Sequence, residues 1–401
     1  MALLGVATLL PRALLAIGLG VWGSPERWEY DVIAASLVDG TGLVYDRDGF
    51  TYHAYAPPLW SLVLAALLLL PGDSRLSIQI TQALLCLGAA TIVAVLARRI
   101  CRDARTGMIA GLMVALQPSL LYYSVVKSDP LPLNAFLLGG LALAGSHLIQ
   151  TPDRRSSVAF GLLVGLGTLS RGTPAVALPL IVAFLLGRWR RQAWPFIAGA
   201  SIAFAMCLTP WLGRNLALIG APLITSTTGE NFWRGNHRGA SGGVVDLDGG
   251  DITTMIPVNE SLPKTIRTVL AGGTELERHR VFMAEAWQFI SADPGSAAVL
   301  FARKLRTFWW RIDSDPRDYP PVAALGYQWI FRAELLFALL GAFFMLKAPL
   351  SCEAAAWCLA LIIALSLLQC AFYVQGRHRF LIEPVLLMFT AAGVVRLTRR
   401  L

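Results

Sequence analysis

The sequence predicts an all-α polytopic membrane protein, a bundle of about ten transmembrane helices. Three observations predict it. Of 401 residues, 56% are hydrophobic and only 15% are charged, the mean hydropathy is +0.59, and the apolar residues fall in continuous runs. Those runs are about 20 residues long, which at about 1.5 Å of rise per residue crosses about 30 Å of hydrocarbon. Continuous rather than alternating hydrophobicity argues against a β-barrel.

The runs predict helices near 3–22, 76–97, 107–126, 130–149, 158–171, 173–187, 194–212, 323–346, 355–374 and 381–396. Residues 1–22 read as a first helix rather than a signal peptide, because a basic leader is missing and Arg12 interrupts the apolar core. Arg12 is expected to snorkel along its own stem. Leu59–Leu70 is too short to span and reads as a juxtamembrane or re-entrant helix. The pair near 158–187, with Arg171-Gly172 and Pro174 at its tip, is expected to tilt or to span only partly.

Orientation follows from the basic residues. With the N-terminus inside, the cytoplasmic connections hold Arg98, Arg99, Arg102, Arg105, Arg154, Arg155, Arg188, Arg190, Arg191, Lys347, Arg396, Arg399 and Arg400, whereas the short outer ones hold only Arg75, Lys127, Arg171, Arg377 and Arg379. The net charge of +9 is therefore spent on membrane orientation rather than nucleic acid. Residues 1–212 form an N-terminal transmembrane module with an outer loop at 23–57, residues 213–322 a mostly helical extracytoplasmic loop or small domain, and residues 323–401 the last helices. Cys86, Cys101, Cys207, Cys352, Cys358 and Cys370 have no CxxC spacing, so neither a disulfide frame nor a zinc cluster is expected. No GxSxG, P-loop or strand-linked GxGxxG occurs, and no internal repeat.

Chemistry is expected in the outer loops. Pro25-Glu26-Arg27-Trp28-Glu29-Tyr30-Asp31 puts three carboxylates within six residues directly after the first helix. A sugar transferase needs one carboxylate to take the acceptor's hydroxyl proton, and neighbouring acids tune it. Glu26, Glu29 and Asp31 are candidates, joined by Asp129 in Lys127-Ser128-Asp129-Pro130, which also reads as a helix cap. Arg377 and Arg379 in Arg377-His378-Arg379 could grip a lipid phosphate with their guanidinium forks. Arg171, Arg214 and Lys127 are weaker candidates for the same task. His53 and Tyr55, in Tyr52-His53-Ala54-Tyr55-Ala56-Pro57-Pro58, could stack on sugar.

Several motifs, in order along nearly the whole chain, resemble the GT-C glycosyltransferases, the superfamily of protein O-mannosyltransferases and the aminoarabinose transferase of lipid A. They are Glu29-Tyr30-Asp31-Val32-Ile33-Ala34 with Leu37 and Gly40-Thr41-Gly42; Ala56-Pro57-Pro58-Leu59-Trp60; Leu169-Ser170-Arg171; Thr209-Pro210-Trp211-Leu212-Gly213-Arg214-Asn215; Asn231-Phe232-Trp233-Arg234-Gly235-Asn236; and Arg377-His378-Arg379-Phe380-Leu381-Ile382-Glu383-Pro384. The resemblance implies a GT-C-like bundle with juxtamembrane helices in the first loop. It also implies an inverting transfer from a polyprenyl-phosphate sugar donor to a glycan, lipid or protein acceptor at the outer face of a bacterial cytoplasmic membrane. Glu26 or Glu29 would be the base, with Asp31 and Asp129 in support. Asn231, Trp233 and Asn236 would contact substrate, and a divalent cation is left open. Ala56 stands where relatives often carry Arg.

Two rival readings remain. A lipid or solute transporter predicts ionisable residues lining mid-membrane helices, where Arg332 and Glu334 are the main ones here. A non-catalytic scaffold, or a polymerase or ligase of envelope glycan assembly, would share the helices.

Overall fold

In the computed structural model, which describes residues 2–243, 262–311, 321–349 and 351–398, almost every described element is helical. The first half runs α1 (Ala2–Gly18), α2 (Glu29–Val38), α3 (Pro58–Leu68), α4 (Ser74–Cys101), α5 (Ala104–Ala115), α6 (Pro118–Val126), α7 (Leu131–Gln150) and α8 (Arg154–Arg171). The second half runs α9 (Ala177–Trp189), α10 (Trp194–Ile219), α11 (Thr228–Arg234), α12 (Lys264–Gly272), α13 (Glu275–Ala292), α14 (Pro294–Trp310), α15 (Pro321–Lys347), α16 (Cys352–Ala371), α17 (Gly376–Arg379) and α18 (Glu383–Thr398).

Local chemistry explains where the long helices begin. Asp73, Asp103 and Asp153 each precede a helix, and their carboxylates accept the free backbone N–H groups of the first turn of α4, α5 and α8. Thr274 and Glu277 close a reciprocal capping box on α13. The single hairpin, β1 (Tyr45–Arg47) with β2 (Phe50–Tyr52), turns through Asp48-Gly49, both at positive φ (54° and 76°), the backbone that an Asp-Gly turn supplies.

Among the described residues, five stretches are long and apolar enough to cross a membrane: Ser74–Cys101, Leu131–Gln150, Thr173–Ile219, Val322–Lys347 and Cys352–Ala371. The α5–α6 pair, bent by 42°, makes six if it counts as one broken span. The expected ten divided Thr173–Ile219 in two and included α1, α8 and α18, which have 17, 18 and 16 residues. Two of these are short, and α8 carries Arg154, Arg155 and Arg171. Arg399 and Arg400 lie outside the described residues. The short Pro58–Leu68 helix stands where a juxtamembrane helix was expected.

Arg12 departs from its expected behaviour. It is 3% exposed and does not snorkel. Pro118, at the start of α6, lacks an N–H, so the ladder breaks between α5 and α6. Arg12 fills the break, donating from Nη1 to the Ala115 carbonyl at 2.9 Å and from Nε to Ser124 Oγ at 2.9 Å.

The core sits on α4, which packs against α1, α5, α7 and α18, while α15 pairs with α18 and α8 with α10. The α15–α18 contact rests on two glycines: a Cβ at Gly341 would collide with the Phe389 carbonyl, and one at Gly393 with that of Phe337. Small residues let helix backbones touch where lipid offers no hydrophobic drive. Gly341→Val or Gly393→Val is therefore expected to destabilise the detergent-purified protein by at least about 1–3 kcal/mol, the usual cost of overpacking. Thermal unfolding checks this, and an unchanged midpoint would refute the close packing.

Candidate active site

Two sequence-distant segments meet through a short parallel bridge. The Glu26 N–H donates to the Val126 carbonyl at 2.7 Å, and the Ser128 N–H donates to the Glu26 carbonyl at 2.9 Å. Two glutamines of α4 hold the far strand of this bridge. Gln79 donates to the Val125 carbonyl at 2.7 Å, and Gln82 to those of Ser124 and Lys127 at 3.1 and 2.9 Å. Gln82 also accepts the Asp129 N–H at 2.9 Å. Asp129 is thereby fixed beside the start of α2, and its carboxylate accepts the Leu131 N–H at 2.8 Å, so it caps the first turn of α7 as well.

Glu29, Asp129, Arg171 and Arg377 form one electrostatic group around Tyr30. Burial pushes the Glu29 carboxyl above its ordinary value of 4.5, Arg377 opposes that shift, and the like charge of Asp129 adds to it. Burial likewise raises Asp129, against the pull of Arg377, Arg171 and Lys127. The Tyr30 phenol is raised by the same burial and by both acids. For Arg377 burial works against the charge, but Tyr373, Tyr123, Asp129 and Glu29 outweigh it and hold the guanidinium protonated. Arg377 Nε donates to Gln375 Oε1 at 2.9 Å, and its guanidinium lies 5.8 Å from the Trp28 ring. Two carboxylates that bind their protons more tightly than usual, facing guanidinium groups, can pass a proton and hold an anion.

The other expected residues have different places. Glu26 lies at the rim, its side chain 56% exposed and its carboxylate 3.8 Å from Lys127 Nζ, which also sits 4.5 Å over the Trp28 ring. Asp31 is turned back to cap α2, accepting the Trp28 N–H at 3.1 Å. Arg379 is not in the group: it is buried, pairs with Glu383 at 3.3 Å, donates to the Phe308 and Arg311 carbonyls and stacks 3.6 Å over Phe331. Trp233 stacks on His237 in a local hydrophobic core. Asn236, just beyond α11, binds the Phe232 and Ala371 carbonyls and Lys304 Nζ, and Asn231 lies on α11.

The first loop is anchored on α10 and α13. The Glu275 carboxylate accepts the N–H groups of His53 and Ala54, both at 2.8 Å. Arg214 donates to the His53 and Leu43 carbonyls at 2.8 and 3.0 Å, and so acts as a clamp on the loop rather than a member of the charged group. His53 Nδ1 lies 3.5 Å from Glu275, while Tyr55 packs against Tyr45 with ring centroids 4.4 Å apart.

Sequence reasoning missed Arg47, Glu230 and Arg234. Buried Glu230 bridges both guanidinium groups, with Arg47 at 3.2 Å, and the two arginines outweigh burial to hold its carboxyl below the ordinary value. Arg47 lies near enough to Glu29 to favour its ionised form. Across 183 residues, the pair had no periodic signal to reveal it. Among the described residues no group of three or more His, Cys, Asp or Glu side chains could hold a metal ion, and the positive charge acting on Glu29 and Asp129 comes from arginines and, at Asp129, also from Lys127.

The described structure is an all-α membrane bundle with its charged group between a folded first loop and the turns of later helices. Residues 55–212 match the family described as dolichyl-phosphate-mannose-protein mannosyltransferase. Among solved structures, the chain is similar to the oligosaccharyltransferase AglB of Archaeoglobus fulgidus in complex with an inhibitory peptide and a dolichol-phosphate, at 15% identity and a TM-score of 0.51 over 93% of this chain. It is likewise similar to an Archaeoglobus fulgidus oligosaccharyltransferase tethered to an acceptor peptide with the NVT sequon, at 14% identity and a TM-score of 0.51. The chain spans less than half the length of these two proteins, 46% and 45%. No curated protein matches it.

Removing the loop's anchor tests this arrangement. Glu275→Ala strands two backbone N–H groups, each at a cost of about 1–3 kcal/mol. The expected result is faster proteolysis within residues 43–56 together with a lower unfolding midpoint; a cleavage rate equal to that of the parent protein would show that the loop is held elsewhere.

Proposed function

We propose that the chain is an inverting glycosyltransferase that moves a sugar from a polyprenyl-phosphate carrier to a hydroxyl-bearing acceptor on the extracytoplasmic face of a bacterial cytoplasmic membrane. The observation that carries the proposal is the group of two desolvated carboxylates, Glu29 and Asp129, facing Arg377 and Arg171 where the first loop meets α7, α8 and α17. The family match over residues 55–212 and the dolichol-phosphate bound to a protein of the same fold support a lipid-phosphate donor.

In the proposed reaction the acceptor oxygen attacks the anomeric carbon from the face opposite the phosphate, while the bond from that carbon to the phosphate oxygen breaks. Configuration inverts, and polyprenyl phosphate leaves with the bonding pair. The acceptor proton passes to Glu29. Asp129 raises the affinity of Glu29 for that proton, and Arg377, with Arg171 behind it, stabilises the charge growing on the departing phosphate. Glu26 and Lys127 line the approach, and Tyr45 and Tyr55 offer aromatic edges to substrate.

A transporter is less well supported. Two buried charges within the helices are engaged in protein contacts, Arg12 closing a helix break and Glu383 held by Gln117, Ser119, Tyr327 and Arg379, while buried Glu334 keeps one carboxylate oxygen without a hydrogen-bond partner among the described residues.

Glu29→Gln is expected to lower kcat by about 10²–10⁴ in a transfer assay with radiolabelled undecaprenyl-phosphate sugars, with expression and unfolding midpoint preserved. Glu26→Gln is expected to cost far less. Full activity in Glu29→Gln would refute the assignment of the base.

The pH profile gives an independent check. The base works only when ionised, so with its pKa raised above 4.5 activity falls as pH drops through that raised value, earlier than for an ordinary glutamate. Arg377→Ala removes an opposing charge, so the acid limb moves to still higher pH while the donor KM rises. A limb that stays in place, together with an unchanged donor KM, would exclude Arg377 from the site.

A further inference from the structure

On α15, the exposed residues Leu325, Trp329, Leu336, Leu339 and Phe343 recur at the spacing of a single helix face, which is the side a membrane-crossing helix turns to lipid. Arg332 falls on the same stripe, three residues after Trp329 and four before Leu336. Counting about 20 residues back from Lys347, for about 30 Å of hydrocarbon, puts the other boundary near Tyr327 and the Arg332 backbone about 7–8 Å inside it. An arginine stem reaches that distance.

The guanidinium does turn toward the boundary. Its Nε and Nη2 lie 3.4 and 3.3 Å from the Trp310 carbonyl at the end of α14, and it sits between two exposed indoles, 4.8 Å from Trp310 and 4.7 Å from Trp329. It forms no ion pair among the described residues. Beside it, α14 exposes Val299, Arg303, Arg306 and Trp310 at spacings of four, three and four, again one face, and Arg311 follows. None of Arg303, Arg306 and Arg311 forms an ion pair among the described residues either.

A charge at the edge of the hydrocarbon without a carboxylate partner is costly, and indoles flanking basic groups settle at the headgroup level. We infer that the Trp310–Arg332–Trp329 sandwich, with Arg303 and Arg306 beside it, is a binding site for the phosphate headgroup of an anionic phospholipid of the surrounding bilayer. The lipid phosphate supplies a counter-charge that no described carboxylate provides, the indoles flank the glycerol region, and the acyl chains lie along Leu336, Leu339 and Phe343. The site faces lipid and does not depend on the proposed transfer chemistry.

Native mass spectrometry of the detergent-purified full chain, titrated with phosphatidylglycerol and with phosphatidylcholine, tests it. Phosphatidylglycerol is expected to be retained roughly fivefold or more tightly, the preference one arginine near a charged surface confers. Arg332→Gln should abolish that preference, and Arg303→Gln or Arg306→Gln should weaken it. If Arg332→Gln fails to fold, Trp329→Leu, which removes one exposed indole, is expected to reduce phosphatidylglycerol retention in its place. Equal retention of the two lipids, or an unchanged preference in the variant that folds, would overturn the inference. So would displacement of phosphatidylglycerol by decaprenyl phosphate in trace amounts, which would make the face a carrier site instead.

Discussion

The pairing of residue 26 with residues 126–128 is the contact on which the charged group depends. Two backbone hydrogen bonds do little energetically on their own, yet they bring the acids of the first loop against the turn that carries Asp129. What makes the pairing durable is its backing. Gln79 and Gln82 project from α4, which packs against α1, α5, α7 and α18, and satisfy carbonyls that proline and helix breaks leave open. In lipid, an unsatisfied carbonyl has no water to turn to. The requirement to satisfy backbone groups and the requirement to place Asp129 are thus met by the same two side chains.

The charged group is balanced by position rather than by neat pairing. Glu29 and Asp129 each sit closer to neutrality than a solvated acid because burial penalises their charge, and the arginines reclaim part of that penalty without forming a tight bidentate pair. Glu230 shows the alternative. More deeply buried, but gripped by two guanidinium groups, it is held ionised. One carboxylate is therefore available to exchange a proton while the other serves as a fixed strut.

Hydropathy made the fold class legible, together with the ends of the helices at which charge collects. Apolar runs located the starts of α4, α5 and α8 to within about a turn, and Pro57-Pro58 the start of the short helix, but the capping aspartates Asp73, Asp103 and Asp153 lie outside those runs. Charge clustering drew attention to Glu29, Asp129, Arg171 and Arg377, which the structure brings together. Side-chain direction was not legible. Arg377 and Arg379 are two residues apart on one turn of helix, so they point to opposite sides, and one joins the charged group while the other is buried against Phe331. Trp233 and Asn236 are implied as substrate contacts only by the resemblance; in the structure Trp233 packs on Phe282 of α13 and Asn236, just beyond α11, donates to the Ala371 carbonyl. The sequence divides into ten apolar runs, whereas five described stretches, or six with the bent pair, are long and apolar enough to cross, because an apolar run reports hydrophobicity, not the length of the helix it forms.

The broken pair α5–α6 has a consequence for how the bundle is put together. The guanidinium that closes the last turn of α5 belongs to α1, at a sequence separation of 103 residues. Until that first helix stands alongside, α5 presents an open carbonyl to hydrocarbon and its bend has no support. Membrane insertion is thereby given a direction: α1, made before α5, is a template in the bilayer, and the kinked pair settles by docking onto it.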